Sequence, residues 1–332
     1  MSAGYSMTGK YTQFDVSSIE VIPLKKRRND LDLSTIMHLH PTASVRPPFR
    51  DVARKMLKAR NQKASNVFML GAHTIRSGVQ PFIIDLMERH LISCIAVNGA
   101  CVIHDYEFAL IGQTTESVAH YIKDGRFGFW QETGYLNEII AEGVARDEGL
   151  GECVGRYILE NKLPHREISL LARAYQLNIP VTVHIGIGYD IIHQHPNFDG
   201  ATAGKASYTD FLYFANILES IEGGTLSSFG SAVMAPEIFL KALSMVRNAA
   251  RQKGKTVEDF CTLVCDLKDL PPSYADEAGK SDPNYYFRPW KTLLVRTVST
   301  RGNSWYVKGT HRETFPELWT AVNDVEAGGN RN

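Results

Sequence analysis

The chain has 332 residues, 44% hydrophobic and 22% charged, with 36 basic and 36 acidic side chains. That is globular composition, and zero net charge gives no overall field for nucleic acid or an anionic membrane. No run approaches the ~18 apolar residues of a membrane span, and the opening "MSAGYSMTGKYTQFD" lacks an apolar signal core, so a cytoplasmic protein is expected.

The length suits one large α/β domain or two small ones. Residues 1–65 read as an N-terminal helical and irregular extension. It holds the basic cluster Lys25, Lys26, Arg27 and Arg28, expected as a solvated arm, then the loop "HPTASVRPP" and the short amphipathic helix "FRDVARKMLKARNQ". From Asn66 the pattern becomes regular. Strand-length apolar runs are "NVFMLGA", "CIAVNGA", "PVTVHIGIG", "GTLSSFGSAV", "FCTLVCDL", "KTLLVRTVS" and "SWYVKGT". Helical patterns lie between most of them: "VQPFIIDLMERH", "YLNEIIAEGVAR", "ECVGRYILENK", "REISLLARAYQLN", "YTDFLYFANILES" and "APEIFLKALSMVRNAARQKG". Apolar strands alternating with helices predict an α/β fold, a parallel sheet covered on both faces. The main domain is expected over 66–322 and a disordered tail over 323–332.

Two stretches depart from the alternation. "KTLLVRTVSTRGNSWYVKG" suggests a hairpin turning at Gly302-Asn303. "LPPSYADEAGKSDPNYYFRP" is a long loop without pattern, and such loops are often functional. The five cysteines (Cys94, Cys101, Cys153, Cys261, Cys265) include no CxxC pair, so they read as buried reduced thiols.

Several strands end in small residues: Gly71-Ala72, Asn98-Gly99-Ala100, Gly186 and Gly188, and Gly230-Ser231-Ala232. Small side chains let a ligand approach the backbone, and open α/β sheets bind ligands at the carboxyl ends of their strands. One common crevice is therefore expected.

The stretch "HIGIGYDIIHQHPN", His184–Asn197, admits three readings. His184, His193 and His195, with Asp190, could ligate zinc or iron, although no fourth ligand is fixed by the spacing. As a dinucleotide loop it fails: Asp190 stands where the third glycine of GxGxxG belongs, and Pro196 and Gly200 allow little more than one helical turn directly after it. As a pocket wall, Asp190 would hold a cationic amine and a histidine would move a proton near neutral pH. Taken singly, Asp190 as a helix cap and the histidines as core residues are the plain alternatives.

The succession of segments over Asn66–Val322 resembles the deoxyhypusine synthase family. "FMLGAHTIRSGVQPFIIDLMERH" is similar to its first nucleotide-side strand and helix, with Gln80 where the family has arginine. "CIAVNGACVIHD" resembles its strand ending in Thr-Ala-Gly-Gly, and "NIPVTVHIGIGYDII" its Ile-Pro-Val strand before Gly-Asp-Met-Ile. "FGSAVMAPEIFLKAL" and "VKGTHRETFP" resemble its Gly-Gly-Gly-Val-Val-Lys-His-His-Ile and Asp-Ala-Ser segments. The resemblance implies a Rossmann-like doubly wound sheet, NAD at subunit interfaces and a homotetramer. It also implies a transferase-type chemistry on a polyamine or other small amine, in which NAD takes a hydride and a lysine carries the imine.

On that basis Ser77, Gly78, Asn98, Gly99, Ala100, Gly230, Ser231, Ala232, Thr310 and His311 are the expected NAD contacts. Asp190, His193, Glu237 and Lys291 are the expected catalytic residues; His184, His195 and Trp290 are expected to contact substrate. The departures are equally specific. The family's catalytic histidine pair falls on Pro236 and Glu237, its Gly-Ser-Asp-Ser-Gly loop is absent, Trp-Gly-Lys shortens to Trp290-Lys291, and Thr310-His311-Arg312 loses a ribose-binding acid. These losses point to an NAD-dependent enzyme on a small amine or amino-acid-like substrate other than deoxyhypusine synthase itself. A metal-dependent enzyme using the three histidines and a non-catalytic nucleotide-binding protein stand as alternatives.

Overall fold

The computed structural model describes residues 9–298 and 301–329. In chain order the elements are β1 (Asn29–Asp32), α1 (Pro47–Gln62), β2 (Asn66–Leu70), α2 (Ala72–Arg76), α3 (Gln80–Glu88), β3 (Cys94–Val97) and α4 (Gly99–Ile111). Then come β4 (Gln113–Glu116), α5 (Val118–Tyr121), α6 (Gln131–Gly134), α7 (Leu136–Val144), α8 (Leu150–Glu160), α9 (Leu170–Gln176) and β5 (Val181–Val183). The chain continues through α10 (Gly200–Leu218), β6 (Thr225–Phe229), α11 (Met234–Gln252), β7 (Cys261–Asp266), a π-helix (Pro289–Arg296), β8 (Ser304–Lys308) and α12 (His311–Gly329). Among the described residues no helix is long and apolar enough to cross a membrane.

Six strands form one parallel sheet in the order β5-β3-β2-β6-β7-β8. Counted among themselves, these strands run 3-2-1-4-5-6, the doubly wound order of dinucleotide-binding folds. Their apolar runs are the consequence of burial on both faces. Phe68, Leu70, Ile95 and Val97 pack into one core with α1, α3, α4, α8 and α9. Val67, Met69, Ala96 and Leu226, one residue out of phase, pack into a second core with α10, α11 and the π-helix. Alternation of side chains across the strands thus supplies both layers.

The sequence misplaces three elements. "KTLLVRTVS" is the π-helix and not a strand, and no hairpin forms at Gly302-Asn303. β8 instead joins β7 in parallel, and a Cβ on Gly302 would lie 2.2 Å from the carbonyl oxygen of Phe260, so that glycine serves close packing. Ser299 and Thr300, at the middle of the expected hairpin, lie outside the described residues. The tail expected from 323 is helical to Gly329 as the end of α12, which packs on α1 and α3; residues 330–332 lie outside the described residues. The N-terminal arm is not wholly solvated. β1 pairs antiparallel with β4, and Arg27 is buried against Glu107 of α4.

Candidate functional site

Because all six strands of the main sheet are parallel, their carboxyl ends share one edge. The topological switch lies between β2 and β6, where ligands of such sheets bind. There the backbones meet closely: Gly71 N–H donates to Phe229 O at 2.9 Å, and a Cβ on Gly71 would lie 2.5 Å from Gly230 O. Gly230 has φ +63°, and the His311 ring occupies the place of its missing side chain. Thr74 Oγ1 and His311 Nδ1 are buried there without a hydrogen-bond partner among the described residues. Burial pulls His311 down to about 4, so its ring is neutral at pH 7.

Beside this crevice is a cavity of about 230 Å³. Asp190 and Tyr189 enter it from the turn after β5, Ala100 and His104 from α4, Arg76 from α2, and Thr115 and Glu116 from β4. Asp190 sits where Gly99 has no side chain: a Cβ there would lie 2.1 Å from Oδ2. The carboxylate therefore covers the first turn of α4, where Ala100 N–H bonds to it, but burial dominates and pushes its pKa up to about 6. His193 braces it. Its Nδ1 accepts from Gly188 N–H (3.1 Å) and Asp190 N–H (3.2 Å), which leaves the hydrogen on Nε2, 3.8 Å from Asp190 Oδ2.

Glu116 is the second acid of the cavity. Its Oε1 accepts from Trp130 Nε1 (2.8 Å) and Gly128 N–H (3.1 Å), while Oε2 is buried with no partner among the described residues. Burial raises its pKa, and Trp130 only partly offsets this. The neighbouring Thr115 has φ +69°, a left-handed conformation that is an outlier for a β-branched residue, and its Oγ1 is also unpartnered. Arg76 reaches His73 Nε2 at 3.2 Å through Nη1; its Nε is buried and unpartnered. Below them Arg27 and Glu107 form a bidentate pair at 2.7 and 2.8 Å, with the hydroxyls of Thr114 and Thr133 also donating to Glu107. Burial alone would raise the Glu107 pKa; Arg27 and the hydroxyls reverse it. Burial brings His104 to about 4, so it is neutral, and its Nδ1 lies 2.8 Å from Thr114 Oγ1.

The expected site residues divide accordingly. Asp190, His193, Asn98, Gly99 and Ala100 come together at the cavity: Asn98 caps α4 through Cys101 N–H, and Gly99 makes room for Asp190. Gly230, Ser231, Ala232 and His311 stand at the switch point, with Ser231 Oγ accepting from Ala235 N–H. Ser77 and Gly78 are covered by the N-terminal segment. Arg312 donates to the carbonyls of Ser77 and Thr35, and a Cβ on Gly78 would lie 2.0 Å from Thr35 O. Thr310 is tied to Glu313 at 2.8 Å.

Glu237, Trp290 and Lys291 are not brought to Asp190. Glu237, on α11, pairs with Lys241 of the same helix and with Arg288, which precedes the π-helix. Trp290 is buried in the second core and donates to Tyr274 O at 3.0 Å. Lys291 lies over the Tyr285 ring at 3.8 Å, beside Glu277, on the β7 flank of the sheet. His184 and His195 are structural neighbours of the site. His184 is packed edge-on to Phe214, contacts Thr182 Oγ1 at 3.0 Å, and is held near 4 by burial. His195 Nε2 donates to Gly128 O at 2.8 Å. With each ring committed separately, the three histidines do not converge, and among the described residues no group of three or more His, Cys, Asp or Glu is placed to hold a metal. The metal reading is thereby corrected.

Arg76, Thr115 and Glu116 were missed in the sequence. Arg76 directly precedes Ser77-Gly78 and carries a readable signal, a cation just past a strand end. Thr115 and Glu116 lie in "GQTTES", which has no motif, and only the pairing of β4 with β1 brings them into place.

No family model matches the chain, and no curated protein matches it. Solved structures similar to it include a conserved candidate LOR/SDH protein from Methanococcus maripaludis S2 (13% identity, TM-score 0.47, 86% of this chain and 74% of that one). ArgZ, an arginine dihydrolase from the ornithine-ammonia cycle in Cyanobacteria, is similar at 13% identity and TM-score 0.48, over 86% of this chain and 34% of that one. A candidate deoxyhypusine synthase from Entamoeba histolytica is similar at 9% identity and TM-score 0.43, over 84% of this chain and 90% of that one. The chain thus spans about a third of the length of the dihydrolase. At these values the likeness assigns neither family nor activity.

Proposed function

We propose that the chain is an NAD-dependent enzyme acting on a small amine, by dehydrogenation or alkyl transfer, at the carboxyl edge of its sheet. The single observation that carries this reading is Asp190: a carboxylate buried in a small cavity, braced by histidine, next to the switch point of a 3-2-1-4-5-6 sheet. NAD fits the residues at the switch. Gly71 and Gly230 are closed against each other and the His311 ring, while Thr74 Oγ1 and His311 Nδ1 are orphaned polar atoms that a ligand would satisfy. Gly71, Thr74, Gly230, Ser231 and His311 would hold it; Ser77 and Gly78 are already engaged by Thr35 and Arg312. When bound, NAD supplies a hydride acceptor.

The chain's own residues set up the amine. Asp190 attracts an ammonium and, with a pKa near 6, can take one proton from it so that the nitrogen lone pair is free. His193 holds the turn that carries Asp190 by accepting from Gly188 and Asp190 N–H, its Nε2 lies 3.8 Å from the carboxylate, and Tyr189 stands at the cavity mouth. The test is twofold: NAD should raise the melting temperature of the full chain, and a panel of primary and secondary amines with NAD should yield reduced nicotinamide with at least one member. No shift with NAD refutes the cofactor; a shift without turnover across the panel leaves a nucleotide-binding protein.

A further inference from the structure

Not all the charged groups facing the cavity are paired within the protein. Arg27 and Glu107 cancel each other as a closed bidentate pair. That leaves one guanidinium, Arg76, and two carboxylates, Glu116 and Asp190, lining the same space. Arg76 has no acidic partner among the described residues. Its one polar contact is neutral His73, and its Nε is buried with no acceptor. Glu116 is 8% exposed, and its Oε2 has no donor among the described residues. Thr115, with its left-handed backbone, also lines the cavity, and its Oγ1 has no partner among the described residues. Buried polar groups without partners are rare, and three on one cavity point to a ligand that completes them.

We infer that the cavity recognises an α-amino acid as its zwitterion, with the carboxylate on Arg76 and the ammonium between Glu116 and Asp190. The complementarity decides between classes of amine. A diamine would satisfy both acids and leave Arg76 facing a second cation. A dicarboxylate would satisfy Arg76 and crowd the two acids. A zwitterion supplies one charge of each sign, and a guanidinium takes a carboxylate in two parallel hydrogen bonds. At about 230 Å³ the space is below the roughly 300 Å³ at which drug-sized pockets begin, which suits one amino acid with a short side chain. The inference rests on the cavity being the substrate site proposed above, and it names Arg76 and Glu116 as the groups that set specificity.

The test is titration calorimetry of the full chain, without NAD, against the common L-α-amino acids, the amines left when their carboxylates are removed, and the carboxylic acids left when their amino groups are removed. At least one amino acid should bind, and losing either group should weaken it about tenfold or more, the range of a charge-assisted hydrogen bond. Arg76→Gln should weaken the amino acid by about 10–100-fold and leave or improve the affinity of the matching amine; Glu116→Gln should weaken both amino acid and amine. A lysine at position 76, in Arg76→Lys, should recover part of the loss, which separates recognition from misfolding. The inference is overturned if no amino acid binds, if an amine binds as tightly as its parent amino acid, or if Arg76→Gln changes nothing. Because no cofactor is present, discriminating binding without later turnover removes only the enzymatic proposal, whereas turnover of diamines with unchanged Arg76→Gln removes only this one.

Discussion

Replacing Asp190 by asparagine separates a functional carboxylate from a structural cap. Burial raises its pKa from 3.8 to about 6 in the folded protein. The folded state therefore holds the proton more tightly than the unfolded chain. Stability contributed by this group is full below about 4, falls as the pH climbs from about 4 to about 6, and is absent above that window. The rise corresponds to about 3 kcal/mol of destabilisation at pH 8. Asparagine never ionises, is nearly the same size, and keeps an oxygen for Ala100 N–H. Asp190→Asn should thus be more stable than the parent at pH 8, by roughly 1–3 kcal/mol, and the difference should shrink toward zero near pH 4. The assay is urea denaturation of both proteins at a series of pH values, beside the amine-binding titration, in which the variant should lose at least about a hundredfold in affinity, in the range seen when a buried charge pair is broken. A variant that is less stable than the parent at pH 8 would refute the reasoning, because the carboxylate would then serve mainly as a structural acceptor for Ala100 N–H and as the cap of the turn Ile191–Gln194.

Other outcomes follow from neighbouring contacts. Gly99→Ala places a methyl 2.1 Å from Asp190 Oδ2 and should displace the carboxylate; helix propensity offsets the clash by about 1 kcal/mol, so thermal melts should change little while ligand affinity falls. Arg27→Met strands Glu107 in the interior and should cost about 3–5 kcal/mol by chemical denaturation, more than the paired change Arg27→Met with Glu107→Leu. Lys291 is held by Glu277 and Tyr285 away from the cavity, so borohydride reduction during turnover should leave it unmodified by mass spectrometry, and Lys291→Ala should keep its activity.

Much of the sheet was legible in the residues. Asn66–Leu70, Cys94–Val97 and Cys261–Asp266 are continuous apolar runs because both faces of the sheet are covered, and their small-residue ends do share one edge. The same signal misled at "KTLLVRTVS", since a short apolar run buried as a helix carries no distinguishing period. Helix α4 was hidden for a related reason. Nine of its residues are buried, so "GACVIHDYEFALI" shows no polar face. At the site, Asp190 was readable from its place after a strand and two glycines. Glu116 was not, because nothing near it in the chain explains it: its neighbours Trp130, Arg76 and Asp190 arrive from three separate segments through tertiary packing. Arg27 looked like part of a solvated arm, and only Glu107, eighty positions away, draws it inside.

The most direct measurement is a crystal structure of the full chain grown with NAD. The account predicts the dinucleotide lying across Gly71 and Gly230, with its nicotinamide ring opening onto the cavity that holds Asp190, Glu116 and Arg76. A nucleotide bound elsewhere, or a nicotinamide turned away from Asp190, would contradict it.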